Sequence, residues 1–420
     1  MGLYDNPSQL TPLMPEDSSL EDKAVELVRH CGRLSKTLHP VTRTQVVDLI
    51  RPLNSHYSNR IEGHDTHLKD INEALKEDFS SDPTKKEKQQ LALAHIKVQA
   101  LMEEKIRAGE ASPITSPEFL CWLHREFYEQ IPRTMRWVEN PDTGERKEVL
   151  PGKSREKPDE IVGARRHLGA SPEAVRSFME KFHEVYNPAE LTSIEMILAF
   201  TASHQRLLWI HPFLDGNGRV ARLFSHAYAI KAGIAAGGLW SISRGFARYI
   251  DDYHQALAKA DMERQHDTDG RGALSQSGLD FFCEFMLEVS LDQVVFMEDI
   301  LDLENLDKRI RGFAKKASEG LIPEINDIHP ESGRLLTELM YRGEISRGAV
   351  PGFFSVGERQ VRKIIKKLED NDLVTSETPR GPLRLSFPEV AVRDYFPDLY
   401  SHDTAGLDQG KFDDQDLTTC

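Results

Sequence analysis

Residues 191–210, L-T-S-I-E-M-I-L-A-F-T-A-S-H-Q-R-L-L-W-I, are apolar nearly all round a helical circumference. A helix with no polar face has to be buried on every side, so this stretch demands a shell of other elements around it. The flanking sequence offers mainly helices for that purpose. From Leu20 to about Ala108 apolar residues recur at helical spacing, as in A-V-E-L-V-R-H (24–30) and I-N-E-A-L (71–75). Pro40 and Pro52 are expected to cut this region into several helices. Residues 115–131 open on an N-cap pattern and continue amphipathically. Between Arg133 and Gly169 the helical signal fails: P-D-T-G-E-R-K reads as a turn with strand-like flanks, and P-G-K-S-R-E-K-P-D-E-I-V-G as a second extended segment. Helical spacing returns at Ser171, with Pro172 suited to a first turn, and runs with interruptions to about Ala314.

Residues 331–388 differ in character. The helix-like R-L-L-T-E-L-M is followed by V-G-E-R-Q-V-R-K-I-I-K-K-L-E-D and then by a hairpin pattern with Pro-Arg-Gly-Pro at its tip. That order predicts a winged helix-turn-helix. Residues 1–20 read as a loose lead-in, and the acidic, polar C-terminus from 393 to 420 as a disordered tail. A chain of 420 residues exceeds one ordinary domain. Its formal net charge of −15 argues against a protein that coats nucleic acid, while leaving room for a local basic face. Cys31, Cys121, Cys283 and Cys420 are scattered, without zinc-ligand spacing. With no apolar run long enough to span a bilayer and no signal-like N-terminus, the expectation is a cytoplasmic protein with reduced thiols and no membrane partner.

The chemistry concentrates at 211–222, H-P-F-L-D-G-N-G-R-V-A-R, directly after the apolar helix and before another helical run. A glycine-bearing loop that enters a helix N-terminus is an anion site, because unpaired N–H groups and the helix dipole face the same point. Gly216 and Gly218 allow close backbone approach to a phosphate. Arg219 and Arg222, three apart, can face one ligand together, and two guanidinium groups suit a polyphosphate. Asp215 can hold a Mg²⁺ that also binds phosphate oxygens. His211 is the natural base for an incoming hydroxyl. Together these groups describe phosphoryl or nucleotidyl transfer.

Residues 211–222 resemble the complete signature of the Fic family, H-x-F-x-[D/E]-G-N-G-R-x-x-R. The resemblance implies a protein adenylyltransferase that moves AMP from ATP to a Ser, Thr or Tyr hydroxyl of a protein target. It implies His211 as base, Asp215 as the Mg²⁺ ligand, and Gly216, Asn217 and Gly218 as the anion hole for the α- and β-phosphates. Arg219 would contact the phosphates and Arg222 the γ-phosphate. Gly218 stands where the kinase-like Doc branch has Lys, which favours AMP transfer. Ser58-Asn-Arg-Ile-Glu62-Gly63 resembles the family's inhibitory helix, which implies that Glu62 pairs with Arg222 and blocks productive ATP binding. P-G-K-S-R (151–155) through I-V-G (161–163) resembles the target-docking flap, and Tyr253-His254-x-x-Leu257 a nucleotide-side helix, which adds Tyr253 to the nucleotide contacts.

The expected fold class is mainly α: a Fic-type helical core with a β-hairpin flap, plus a C-terminal winged helix-turn-helix. The expected organisation is an N-terminal helical region over 1–110 with the inhibitory helix near 45–63, a core over 111–290 with the flap near 150–165, linking helices over 291–330, the winged module over 331–392 and the tail. Self-modification and homo-oligomerisation are expected. Nucleic acid binding through 331–390 is conceivable but disfavoured, since that segment is nearly charge-neutral. Rival readings are removal of AMP by the same site with Glu62 orienting water, a DNA-binding regulator with a sensor core, and a metal hydrolase on His204, His211 and Asp215. For His204 the plainer reading is a buried histidine satisfied by a neighbour.

Overall fold

Three of the first five helices begin on a proline preceded by a side-chain cap. The computed structural model describes residues 4–139, 144–157, 160, 169–325 and 328–400. In order come α1 (Ser19–Leu34), α2 (Pro40–Ile61), α3 (Leu68–Leu75), α4 (Pro83–Ala108) and α5 (Pro117–Gln130). Pro40, Pro83 and Pro117 stand in first turns, where the missing N–H has no helical acceptor to lose. Asp82 and Ser116 accept from the backbone three residues on, and Gly109 closes α4 in the left-handed region at φ 72°.

Pro52 does not divide the chain, contrary to the expectation above. Helix α2 runs straight through it, and Pro52 is buried with Ile50, Leu53 and Asn54. One backbone hydrogen bond is forgone, but packing of α2 against α4 holds the helix on both sides of the proline.

The lead-in is also not loose from residue 4 onward. Ser171 N–H donates to Tyr4 O at 2.8 Å, Leu274 N–H to Thr11 O at 2.9 Å, and Arg206 Nε to Pro12 O at 2.8 Å. Leu10 is fully buried and the Tyr4 ring lies 4.9 Å from that of Trp209. A few apolar residues and many backbone acceptors are enough to seat such a strap on a helical core.

A two-stranded antiparallel hairpin follows, β1 (Trp137–Glu139) with β2 (Arg146–Glu148), in register Trp137 to Glu148. The flap was expected near 150–165. Among the described residues the ladder instead lies at 137–148, while 153–156 belong to no strand and 161–163 fall outside the described residues. The Asp-Thr-Gly turn was the stronger hairpin signal.

Then come α6 (Val175–Tyr186), α7 (Ser193–Ile210), α8 (Asn217–Lys231), α9 (Ile242–Arg248), α10 (Ile250–Ala260), α11 (Gln276–Ile300) and α12 (Leu303–Ser318). Helix α7 opens on a capping box between Thr192 and Glu195 and is enclosed by α1, α6, α8 and α11. Residues 197–207 of α7 are all buried, as its all-round apolar pattern requires. Helix α11 crosses residue 290 without a break, so the expected boundary there is not a joint in the structure.

The C-terminal elements are α13 (Ser332–Arg342), β3 (Glu344–Ile345), α14 (Glu358–Asp370), β4 (Val374–Thr375), β5 (Leu383–Leu385) and α15 (Glu389–Tyr395). The strands form one antiparallel sheet in the order β3-β5-β4. The expected tail does not begin at 393. Tyr395, Phe396 and Leu399 are buried, and 401–420 lie outside the described residues. The chain is mainly α-helical, and among the described helices none is long and apolar enough to cross a membrane.

Candidate active site at the α7–α8 loop

Helix α7 ends at Ile210, and His211 turns the chain at φ 52°, ψ 59°. A non-glycine residue in the left-handed region is held there only when its surroundings over-determine it. Arg155 does much of this. Its side chain is 3% exposed, and it donates to His211 O at 2.8 Å, to Ile210 O at 3.1 Å and to Ala170 O at 3.1 Å. Asn217 braces the other end of the loop: its Oδ1 accepts from Phe213 N–H at 2.9 Å and its Nδ2 donates to Phe213 O at 2.8 Å. The Asn217 side chain is thereby committed to the loop, so what it can offer an anion is its backbone N–H.

Gly216 caps α8 at φ 82°, a conformation L side chains avoid, and a Cβ there would strike the Tyr128 ring. Tyr128, on α5, donates its hydroxyl to Asp215 Oδ2 at 2.6 Å. Asp215 itself is exposed, so one carboxylate oxygen is held and the other faces outward. His124 Nε2 lies 3.2 Å from Asp215 O, and its ring stacks on Phe213 at 4.1 Å between centroids. Burial holds the His124 imidazole neutral, with a pKa of about 4.

Arg222, on the second turn of α8, is 2% exposed. Its Nε donates to Ser58 Oγ at 2.9 Å, and its Nη2 to Ser58 O at 3.0 Å and to Glu62 Oε1 at 2.6 Å. Glu62 is the C-cap of α2, and Gly63 leaves it at φ 79°. The Glu62 carboxylate lies so close to Gly218 that a Cβ on that glycine would collide with it. It therefore sits over the N-terminus of α8, where the first N–H groups have no helical acceptor and the dipole favours negative charge. Burial pushes the Glu62 carboxyl up, yet the Arg222 and Arg219 guanidinium groups outweigh it and hold its pKa below the ordinary value. Arg219 is 5% exposed, 5.5 Å from the centre of the Phe127 ring, and its buried Nε has no hydrogen-bond partner among the described residues.

His204 and Tyr253 stand behind this layer. His204 Nδ1 lies 2.7 Å from Ser225 Oγ and its Nε2 2.9 Å from the Tyr253 hydroxyl, so both ring nitrogens are engaged. Burial lowers its pKa to about 3. Tyr253 is 2% exposed and stacks on Phe246 at 4.3 Å. Its expected place was against a nucleotide; it is found in the interior, supporting His204 beneath α8.

The α7–α8 loop, α5 and the end of α2 thus bring His211, Asp215, Gly216, Asn217, Gly218, Arg219 and Arg222 together with Ser58 and Glu62, across more than 140 residues of sequence. Tyr128 and Arg155 were not singled out from sequence. Tyr128 lies on the buried face of α5 and reads as core, and Arg155 is remote from the signature and carries no periodic signal.

The comparisons with known proteins fall on the segment that holds α7 and the glycine-rich loop at the head of α8. Residues 113–229 match the Fic/DOC family model, and the chain carries a Fic/DOC family domain there. Among curated proteins, a protein adenylyltransferase Fic of Nematostella vectensis is 36% identical over 67 residues, 16% of this chain and 16% of that protein. Another of that name from Drosophila erecta is 30% identical over 67 residues, 16% of this chain and 14% of that protein. The matched segment spans only about a sixth of these relatives. Among solved structures, a Fic family protein from Desulfovibrio desulfuricans G20 aligns over 90% of this chain and 99% of its own, with 16% identity and a TM-score of 0.49. A Fic domain containing signaling protein from Bacteroides thetaiotaomicron VPI-5482 aligns over 66% and 95%, with 20% identity and a TM-score of 0.47.

Proposed function

We propose that the α7–α8 loop is the active site of a protein adenylyltransferase, and that Glu62 holds it inactive. The observation that carries the reading is the Glu62–Arg222 contact of 2.6 Å, made over the N-terminus of α8. A side-chain carboxylate already occupies the position where helix dipole, free N–H groups and two guanidinium groups would receive a phosphate. Relatives named protein adenylyltransferase support the same reaction class.

In this reading His211 accepts the proton of the target hydroxyl, whose oxygen then bonds to the α-phosphorus of ATP. The bond to the β-phosphate oxygen breaks, and pyrophosphate leaves. The N–H groups at the start of α8 and Arg219 bind the phosphates, a role suited to a buried guanidinium with a spare donor. Asp215, exposed and held at one oxygen by Tyr128, fits a magnesium ligand. Magnesium there supplies neutralisation of phosphate charge. Arg222 becomes free for the γ-phosphate once Glu62 swings away, with Ser58 still accepting from it.

The test compares wild type, Glu62→Gly and Glu62→Gly/His211→Ala with α-labelled ATP and a cell lysate. Strong labelling of protein by the single variant, weak labelling by wild type and none by the double variant is the expected pattern. Equal labelling by both variants would remove His211 from the chemistry, and strong labelling by wild type would remove Glu62 from control.

A further inference from the structure

Away from this site, α14 presents a basic stripe. Val361, Ile364, Ile365 and Leu368 face inward and are buried, while Arg359, Arg362, Lys363 and Lys366 are exposed. Arg359, Lys363 and Lys366 follow at steps of four and three, which aligns them along one face. Several nearby carboxylates are engaged elsewhere, while Asp370, four residues after Lys366, is exposed at the end of the same face. Glu344 pairs with Arg384 at 2.9 Å, Glu377 binds the same guanidinium, and Glu369 pairs with Arg347 at 2.5 Å. Glu331 accepts from Ser355 N–H and Oγ at 2.8 and 2.7 Å. Glu358 reaches Arg362 only at 3.7 Å, with both side chains about 80% exposed, a geometry that contributes little. Near-neutral overall charge therefore hides a partly segregated arrangement, in which the three cations Arg359, Lys363 and Lys366 share their face with the carboxylate of Asp370.

Shape selects the partner. Helix α14 has 13 residues, which makes it about 20 Å long and 10–12 Å wide with side chains. The major groove of B-form DNA is about 12 Å wide and admits a helix, whereas that of A-form RNA is too narrow. The β4–β5 hairpin packs beside α14, and its turn carries exposed Arg380. We infer that α14 docks in the major groove of double-stranded DNA, with Arg359, Lys363 and Lys366 on phosphates and Arg380 on the flanking backbone. This stands independently of the transfer reaction.

Fluorescence polarisation with the full chain and a labelled 20-base-pair DNA of random sequence tests it. About four phosphate contacts predict an affinity loss on the order of a hundredfold between 50 and 200 mM NaCl. Lys363→Glu/Lys366→Glu is expected to weaken binding at least tenfold at the lower salt and to flatten the salt slope. Lys363→Arg/Lys366→Arg is expected to bind as wild type, which separates lost charge from misfolding. No binding by wild type, equal binding by the charge-reversed variant, or displacement by polyglutamate as effective as by unlabelled DNA would each overturn the assignment.

Discussion

Arg222 makes two contacts with Ser58, through Nε and Nη2, and a third with Glu62. Ser58 alone cannot neutralise a guanidinium that is 2% exposed, so Glu62 contributes charge balance as well as a hydrogen bond. Its pKa is held below the ordinary 4.5. A depressed carboxylate contributes stability that is present above its unfolded pKa and is lost as pH falls through the lower folded value. Glu62→Gln keeps an acceptor oxygen but loses the charge, and is expected to cost about 1 kcal/mol at pH 7. Denaturant unfolding of both proteins from pH 3.5 to 8 should give a constant difference above pH 5 that shrinks below about 4.5. A difference that grows toward acid would show that the ion pair is not what holds Glu62. Since Glu62 stays ionised throughout the neutral range, pH change near neutrality leaves this contact closed.

At the level of elements, the α7–α8 corner is held by residues from other parts of the chain. Arg155 supplies donors to Ile210 O, His211 O and Ala170 O, and all three carbonyls would be left without that partner in Arg155→Met. Burial lowers the Arg155 pKa to about 10, which still leaves it charged at neutral pH. If the proposed transfer reaction holds, Arg155→Met in a Glu62→Gly background is expected to reduce kcat about a hundredfold, with the KM for ATP little changed, because His211 rather than the start of α8 loses its anchor. Steady-state kinetics decides this; a raised KM with unchanged kcat would place Arg155 on the nucleotide side instead.

On the scale of the whole molecule, α2 connects the C-terminal elements to the site. Thr42 Oγ1 donates to Met340 O at 2.9 Å near its start, and the Tyr57 hydroxyl reaches Leu399 O at 3.4 Å one turn before Glu62. Gly343, at φ 75° after α13, lies against His39 and Val41 so closely that a Cβ would strike both. Gly343→Ala combines backbone strain with overpacking and is expected to cost about 1–3 kcal/mol. Thermal unfolding should show a Tm lowered by several degrees, whereas Gly312→Ala, where a Cβ meets nothing within 4 Å, should leave it unchanged or raised. An unaltered Tm in Gly343→Ala would mean that α2 and α13 are not firmly joined.

Local signals determined much of this protein. The apolar circumference of α7, the N-cap at Ser116 and the glycines at 216 and 218 act within a few residues, so the start of α5, the buried centre and the glycine-rich loop were legible in the chain. The Ser58-to-Gly63 motif suggested a partner for Arg222, but only packing of α2 beside α8 brings the carboxylate onto Gly218. Continuity of α2 through Pro52, seating of the lead-in, and the parts taken by Tyr128, Arg155 and Tyr253 were decided by tertiary structure. Each depends on groups far apart in sequence sharing a buried space, where an unmatched polar atom is costly and a matched one can sit on any helix.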